Sequence, residues 1–195
     1  MNAIQVRKNT INQAQQYLAR KPLYLDTETT GYHDTDQIVE ICIIDHDGQV
    51  LLDSLVKPIG SIPFGAVQIH GITNEMVQDA PTWPEIWPQV HSLLTGRSVG
   101  IYNATFDLRL IQQSHQISGL ASSGLKPEAG AQAFCIMKLY ARYYGEWNHR
   151  RRSYQWQSLE AAGKQCQLSL SNTHRARDDT LLARAVLRHM AQTNT

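Results

Sequence analysis

Apolar and polar positions follow two rhythms along this chain. "PLYLDTE" (22–28) and "QIVEICIIDHDGQVLLDSLVKP" (37–58) are short apolar runs that predict three strands, the last two joined at Asp47-Gly48, a pair that favours a type I′ hairpin. Such a start is antiparallel. Residues 63–96 carry helical periodicity interrupted by prolines, which predicts two or three short helices ending at Gly96. "RSVGIYN" (97–103) then reads as a buried strand, and "ATFDLRLIQQSHQ" (104–116) as a helix with Phe106, Leu110 and Ile111 on its apolar side. A strand followed by a helix adds a parallel strand to the sheet. A polar helix is expected around Thr10 to Arg20, a loop over 119–132, and three helices over 134–146, 153–166 and 177–192. The order predicts an α/β fold, a mixed sheet flanked by helices.

The 195 residues suffice for one domain with a sizeable core and are too few for two ordinary ones. One domain over 1–195 is expected, with 1–21 as an N-terminal helical extension. Eighteen Lys and Arg against seventeen Asp and Glu leave a net charge of +1, so any polyanionic partner must be met by local patches. Cys42, Cys135 and Cys166 are an odd number, widely spaced and set among apolar neighbours, which fits buried thiols in a reducing compartment. The N-terminus has no apolar core of the kind a secretory signal needs, and no window approaches the ~18 apolar residues of a membrane span. The expected location is cytoplasmic, with no membrane partner.

Candidate chemistry begins at "LYLDTETTG" (23–31). Alternation on a strand turns Asp26 and Glu28 to the same face, about 6.6 Å apart at ~3.3 Å per residue. Carboxylates that close repel, and a divalent cation held by hard oxygens is the natural countercharge; solvation at the mouth of a turn is the alternative. Asp107 opens a helix after the C-terminal end of a buried strand, where the helix dipole favours an acid and where α/β sheets place ligands. "HRARDD" adds His174, Asp178 and Asp179. In a continuous helix His174 would share a face with Asp178 and leave Asp179 about 100° away.

Taken in order, "DTETTG" (26–31), "NATFD" (103–107) and "HRARDD" (174–179) resemble the three exonuclease motifs of the DnaQ-like family, in its DEDDh subgroup. "IHGITNEMVQDAP" (69–81) resembles the family's linking helices, so the likeness runs from about Pro22 to about Met190. The sister DEDDy subgroup would carry Tyr where this chain has Arg175, and the family's usual His before the second-motif Asn is here Tyr102. The resemblance implies a ribonuclease H-like, mixed five-stranded sheet, three antiparallel strands first and parallel additions after them. It also implies two divalent ions, Mg2+ or Mn2+, held by Asp26, Glu28, Asp107 and Asp179: one among Asp26, Glu28 and Asp179, the other on Asp26 with Asp107 through water. Paired ions ~3.5–4 Å apart can activate water and stabilise a leaving 3′ oxygen. His174 is the implied general base, and the family spacing pairs it with Asp179, which requires His174 to lie on a loop before the helix begins. Asp179 would then share a helix face with Leu182, Ala183 and Val186, and Asp178 would be replaceable.

The resemblance further implies substrate contacts at Thr27, Thr29, Thr30, Ile69, His70, Asn103 and Phe106, against which stands plain core packing for Ile69 and Phe106 and a turn role for His70. "WNHRRRSYQWQ" (147–157) interleaves Arg150, Arg151 and Arg152 with aromatics including Trp156, a mixture suited to single-strand binding or to a solvated basic loop. The expected activity is 3′–5′ exonuclease action on single-stranded or frayed DNA, releasing 5′-nucleotides. Two alternatives stand beside it: RNA trimming, as in ribonuclease T and oligoribonuclease, and a catalytically silent nucleic-acid-binding module. Similar ribonucleases include homodimers, although nothing in the sequence marks an interface. "QLSL" (167–170) lacks the aromatic end of a sliding-clamp peptide and reads as a buried turn.

Overall fold

The computed structural model describes residues 2–120 and 132–193. Three strands come first: β1 (Leu23–Thr29), β2 (Ile38–Ile44) and β3 (Val50–Leu55), each antiparallel to the next. Two more, β4 (Ser98–Ile101) and β5 (Gln132–Cys135), add parallel to β1 in the order β3-β2-β1-β4-β5. The helices are α1 (Ala3–Ala19), α2 (Phe64–His70), α3 (Trp83–Leu94), α4 (Ala104–Ile117), α5 (Ile136–Tyr144), α6 (Leu159–Gln165) and α7 (Ala176–Gln192). A separate hairpin pairs β6 (Trp147–Asn148) with β7 (Ser153–Tyr154).

The apolar runs of the central strands make a sheet that is buried on both faces, as a sheet with helices on each side requires. Tyr24, Cys42 and Ile44 face one layer, packing with Ile11 of α1, Tyr140 of α5, Leu159 of α6 and Leu182 and Val186 of α7. Leu25, Ile41 and Ile43 face the other, against Trp87 and Val90 of α3 and Leu110 of α4. α1 thus belongs to the core of its layer, with Ile11 and Ala14 fully enclosed.

Several boundaries differ from the sequence reading. α1 begins at Ala3, well before Thr10, because the Asn2 side chain accepts the Gln5 N–H at 2.8 Å and caps it. The Asp45–Gln49 turn is not the expected mirror-image type: among its residues only Gly48 has positive φ (92°). Its N–H instead donates to the Asp45 carbonyl at 3.1 Å, while the Asp45 carboxylate accepts the N–H groups of Asp47 and Gln49. The helix read from Phe134 is first an edge strand, since Gln132–Cys135 pairs with β4 before α5 starts. The helix read from Ser153 starts only at Leu159, capped by Ser158, because Ser153 and Tyr154 pair with Asn148 and Trp147. "QLSL" is largely exposed, with only Leu168 packing on the core. Residues 121–131 of the expected loop lie outside the described residues.

Candidate active site

β1 divides the site between its two faces. Asp26 and Glu28 point with Tyr24 toward α7, and Thr27 points the other way, toward α4. From α7, Asp179 comes to meet the first pair: one carboxylate oxygen from each of Asp26, Glu28 and Asp179 lies within 4.8 Å of the others. Asp107, buried in the first turn of α4, approaches from the opposite layer and accepts a hydrogen bond from the Thr27 hydroxyl at 2.8 Å. Four acids from three elements therefore converge at the C-terminal end of β1.

Among the described residues none of these four acids forms an ion pair with a basic side chain. Burial, then the charges of Asp107, Glu28, Asp179 and Glu40, hold the Asp26 carboxyl well above its usual range. Burial, followed by Asp179, Glu40 and Asp107, raises Glu28 to about 8. Burial likewise raises Asp107, partly offset by the Thr27 hydroxyl. Asp179 rises to about 6, again through burial, with the Thr173 N–H acting against the rise. Crowded hard oxygens whose charges are disfavoured without a cation are the donor set that Mg2+ or Mn2+ takes, so these residues fit the ions the motifs imply. A second acidic group, Asp45 with His46 and Asp47, is different, because it is more exposed and its Asp45 carboxylate is occupied by its own turn.

The segment before α7 explains the paired aspartates. α7 begins at Ala176, and His174 lies outside it with φ 53°, a left-handed value that a non-glycine residue adopts only when its surroundings impose it. The helical i, i+4 pairing of His174 with Asp178 is thereby broken. Asn172 donates to one Asp179 oxygen at 2.8 Å and the Thr173 N–H to the other at 3.1 Å. Asp178 is exposed and takes only the Thr173 hydroxyl, at 2.8 Å. Asp179 shares the buried face of α7 with Leu182, Ala183 and Val186.

A brace the sequence reading missed holds this segment from the side. Glu40, 3% exposed on β2 and directly opposite Glu28, accepts the Arg175 guanidinium in a fork, the Arg175 Nε lying 3.1 and 3.2 Å from its two oxygens. It also takes the Ala176 N–H at 2.8 Å, one of the unpaired donors at the start of α7. Bonding to Glu40 raises the Arg175 pKa further. The signal was present in "IVEICII", where an acid inside an otherwise apolar strand must find a partner once buried.

The remaining named residues divide by what they already touch. Thr29 donates to the Gly31 carbonyl at 2.6 Å and Thr30 to Asp36 at 2.6 Å, so both hydroxyls shape the "TTG" turn. His70 is buried at the end of α2, its Nδ1 accepting the Ile72 N–H at 3.0 Å and its Nε2 lying 3.2 Å from the Thr29 carbonyl. With Nδ1 an acceptor, Nε2 carries the proton, and burial keeps the ring neutral by lowering its pKa. His70 thus ties α2 to the end of β1. Ile69 is 59% exposed and so is not core. Phe106 is half-buried with the Arg109 guanidinium 5.5 Å over its ring, and Asn103 precedes α4 without a side-chain cap bond. Tyr102, standing where the family usually has His, is buried and donates to the carbonyl oxygens of Gln157 and Ser158 at 3.0 and 3.1 Å.

Comparison with known proteins agrees with this geometry. The ribonuclease T family of exonucleases matches residues 23–187. The uncharacterized exonuclease CP81 of Escherichia phage 186 is 40% identical over 185 residues, covering 94% of this chain and 95% of the phage protein. The DNA polymerase III subunit epsilon of Rickettsia felis is 31% identical over 112 residues, covering 54% of this chain and 48% of that protein. The chain thus matches about half of that subunit's length. Among solved structures, exonuclease X in complex with 5′-overhanging duplex DNA superposes with a TM-score of 0.63 at 26% identity, covering 88% of this chain and 92% of that one. With the family match spanning most of the sequence and the fold common to both, the chain belongs to the DnaQ-like exonucleases of ribonuclease H-like fold and is a 3′–5′ exonuclease.

Proposed function

We propose that the protein removes nucleotides from the 3′ end of single-stranded or frayed DNA, using two Mg2+ or Mn2+ ions and His174 as general base. The observation that carries this reading is the approach of Asp26, Glu28 and Asp179 within 4.8 Å, with no cationic side chain among them, beside a histidine held off its helix. Asp26, Glu28 and Asp179 would hold one ion, and Asp26 with Asp107 the other. When bound, such ions polarise the phosphodiester, lower the pKa of the attacking water and stabilise the departing 3′ oxygen.

The chain's own residues do the rest. His174, exposed beside the cluster, takes the proton from the attacking water, the general-base task for which an imidazole is suited. Asn172 and the Thr173 N–H hold Asp179, and the Glu40–Arg175 brace fixes the backbone that carries His174. The backbone around Thr27 to Thr30, shaped by the Thr29 and Thr30 hydroxyls, meets the terminal 3′ hydroxyl. Ile69, Asn103 and Phe106 border the terminal nucleotide, with His70 supporting that wall from behind. The DNA-bound exonuclease X, similar over most of both chains, favours DNA over RNA. Three free cysteines, two of them buried, suit the cytoplasm. Among the described residues no helix is long and apolar enough to cross a membrane.

The test is magnesium-dependent loss of 5′-nucleotides from single-stranded DNA, duplex DNA with a recessed 3′ end, RNA and dinucleotides, with Asp26→Ala as control. DNA cleavage that Asp26→Ala abolishes is the expected result. Preference for RNA would move the assignment to RNA trimming, and no cleavage of any substrate would leave a binding module.

A further inference from the structure

The arginine-aromatic segment is an ordered arm rather than a loose loop. Trp147 pairs with Tyr154 and Asn148 with Ser153, and the Trp147 and Tyr154 rings meet edge to face at 5.0 Å. The Asn148 side chain accepts the Arg151 N–H at 2.9 Å, Arg152 turns the chain with φ 51°, and the Gln155 N–H closes onto the Glu146 carbonyl at 2.8 Å. The tip of the hairpin, 149–152, therefore presents His149, Arg150, Arg151 and Arg152, all exposed. Arg109, Arg175 and Arg177 are paired with carboxylates, yet among the described residues none of the three tip guanidinium groups has a carboxylate within 4.0 Å. Three adjacent unneutralised cations repel one another, so the arm awaits a polyanion.

A two-stranded ribbon this short does not persist unaided, so its root matters. Gln157 bonds the Glu146 carboxylate at 3.1 Å, and Tyr102 holds the carbonyl groups of Gln157 and Ser158. Tyr102 immediately precedes Asn103 and the helix bearing Asp107. Ser158 caps α6, whose Leu159 and Ala162 pack with Leu182 of α7, the helix bearing Asp179. The arm thus springs from between the residue preceding the Asp107 helix and the helix packed on α7. At ~3.3 Å per residue, Arg151 lies within about 23 Å of Ser158. Beside the tip, a surface depression of about 340 Å³ is lined by Asn148, Arg151, Ser153, Tyr154, Gln155 and Trp156, with Trp156 59% exposed.

We propose that this arm is a second binding element for the substrate strand, holding nucleotides upstream of the 3′ terminus. The tip guanidinium groups take phosphates, and one base stacks on Trp156. The inference rests on the exonuclease reading above, and its consequence is discrimination by substrate length.

The arm is tested by Arg150→Glu with Arg151→Glu and Arg152→Glu, and separately by Trp156→Ala. For the triple variant, the ratio of kcat/KM on a long single strand to that on the p-nitrophenyl ester of thymidine 5′-monophosphate should fall at least about tenfold, through KM of the strand. Trp156→Ala should weaken strand binding by roughly 5- to 100-fold. Measured by fluorescence anisotropy of an uncut labelled strand in the Asp26→Ala background, the slope of log Kd against log salt should flatten by about 2 when the three arginines are reversed. Equal losses on strand and ester, or strand affinity and salt slope that do not change, overturn the arm. The latter result leaves an acidic protein surface as its partner. Because anisotropy needs no turnover, it decides the arm even if the wild type cuts nothing.

Discussion

Glu28 and Glu40 sit opposite each other on neighbouring strands, Glu40 buried and Glu28 half-buried, and meet opposite fates. Glu40 has a guanidinium fork and a helix N–H, and its charge is fully matched. Glu28 faces Asp26 and Asp179, and its carboxyl is raised to about 8. Depth does not separate a structural acid from one of the site, since Asp107 and Asp179 are as buried as Glu40. The presence or absence of a cationic partner does, and a cluster of acids left without one marks where the fold gives up stability for a ligand.

The sharpest way to break this comparison is to neutralise each acid in turn. Glu28→Gln should cost at least about 10³-fold in kcat, several kcal/mol of transition-state stabilisation, in a steady-state assay with saturating Mg2+. Yet the metal-free variant should melt roughly 2–4 °C higher by calorimetry near neutral pH, the shift that about 1 kcal/mol gives at this size, since the cost of holding an acid among the other carboxyls is gone. His174→Ala should lower kcat by roughly 10²–10⁴ while Mn2+ affinity measured by calorimetric titration holds, because the histidine is no ligand. Glu40→Gln should move stability the other way from Glu28→Gln. Losing charged hydrogen bonds to a half-exposed Arg175 costs about 2 kcal/mol in denaturant unfolding, below the cost for a fully buried pair. Equal signs for the two glutamine variants would sink the distinction.

The same contrast predicts a pH response. Carboxyls raised in the folded state favour folding while they are protonated, and this contribution is lost as pH climbs through their folded values. Between the usual carboxylate range near 4 and the Glu28 value of about 8, the metal-free protein should therefore melt progressively lower as pH rises. Saturating Mg2+ or Mn2+ should flatten that slope, and a metal-free melting temperature that rises with pH would contradict it. The smallest effect is expected at Asp178→Asn, within about 0.5 kcal/mol in stability and near wild-type rate, since the lost bond to Thr173 is exposed.

Much of the fold could be read from the pattern because its strands are buried on both faces and so are written as continuous apolar runs. β5 escaped because Gln132 and Ala133 are exposed at the sheet edge, leaving no alternation to follow. The start of α1 escaped because the helix is polar on most sides and depends on a cap and on packing against α5 and α7. At the site, the ligand-type acids sit in short motifs and are visible as such. Glu40, Arg175, Asn172 and Thr173 act through contacts that join distant stretches or bend a backbone locally, and residue order alone does not display them. That His174 leaves the helix was legible through the family spacing, whereas the left-handed backbone that achieves it was not.

The brace between β2 and the start of α7 also orders events in time. Asp26, Glu28 and Glu40 leave the ribosome early, while His174, Arg175 and Asp179 follow, at ordinary elongation rates, roughly 8 to 30 s later. Until α7 docks on β2, Asp26 and Glu28 have neither His174 nor Asp179 beside them, so the cluster exists only once chain ends far apart in synthesis have met.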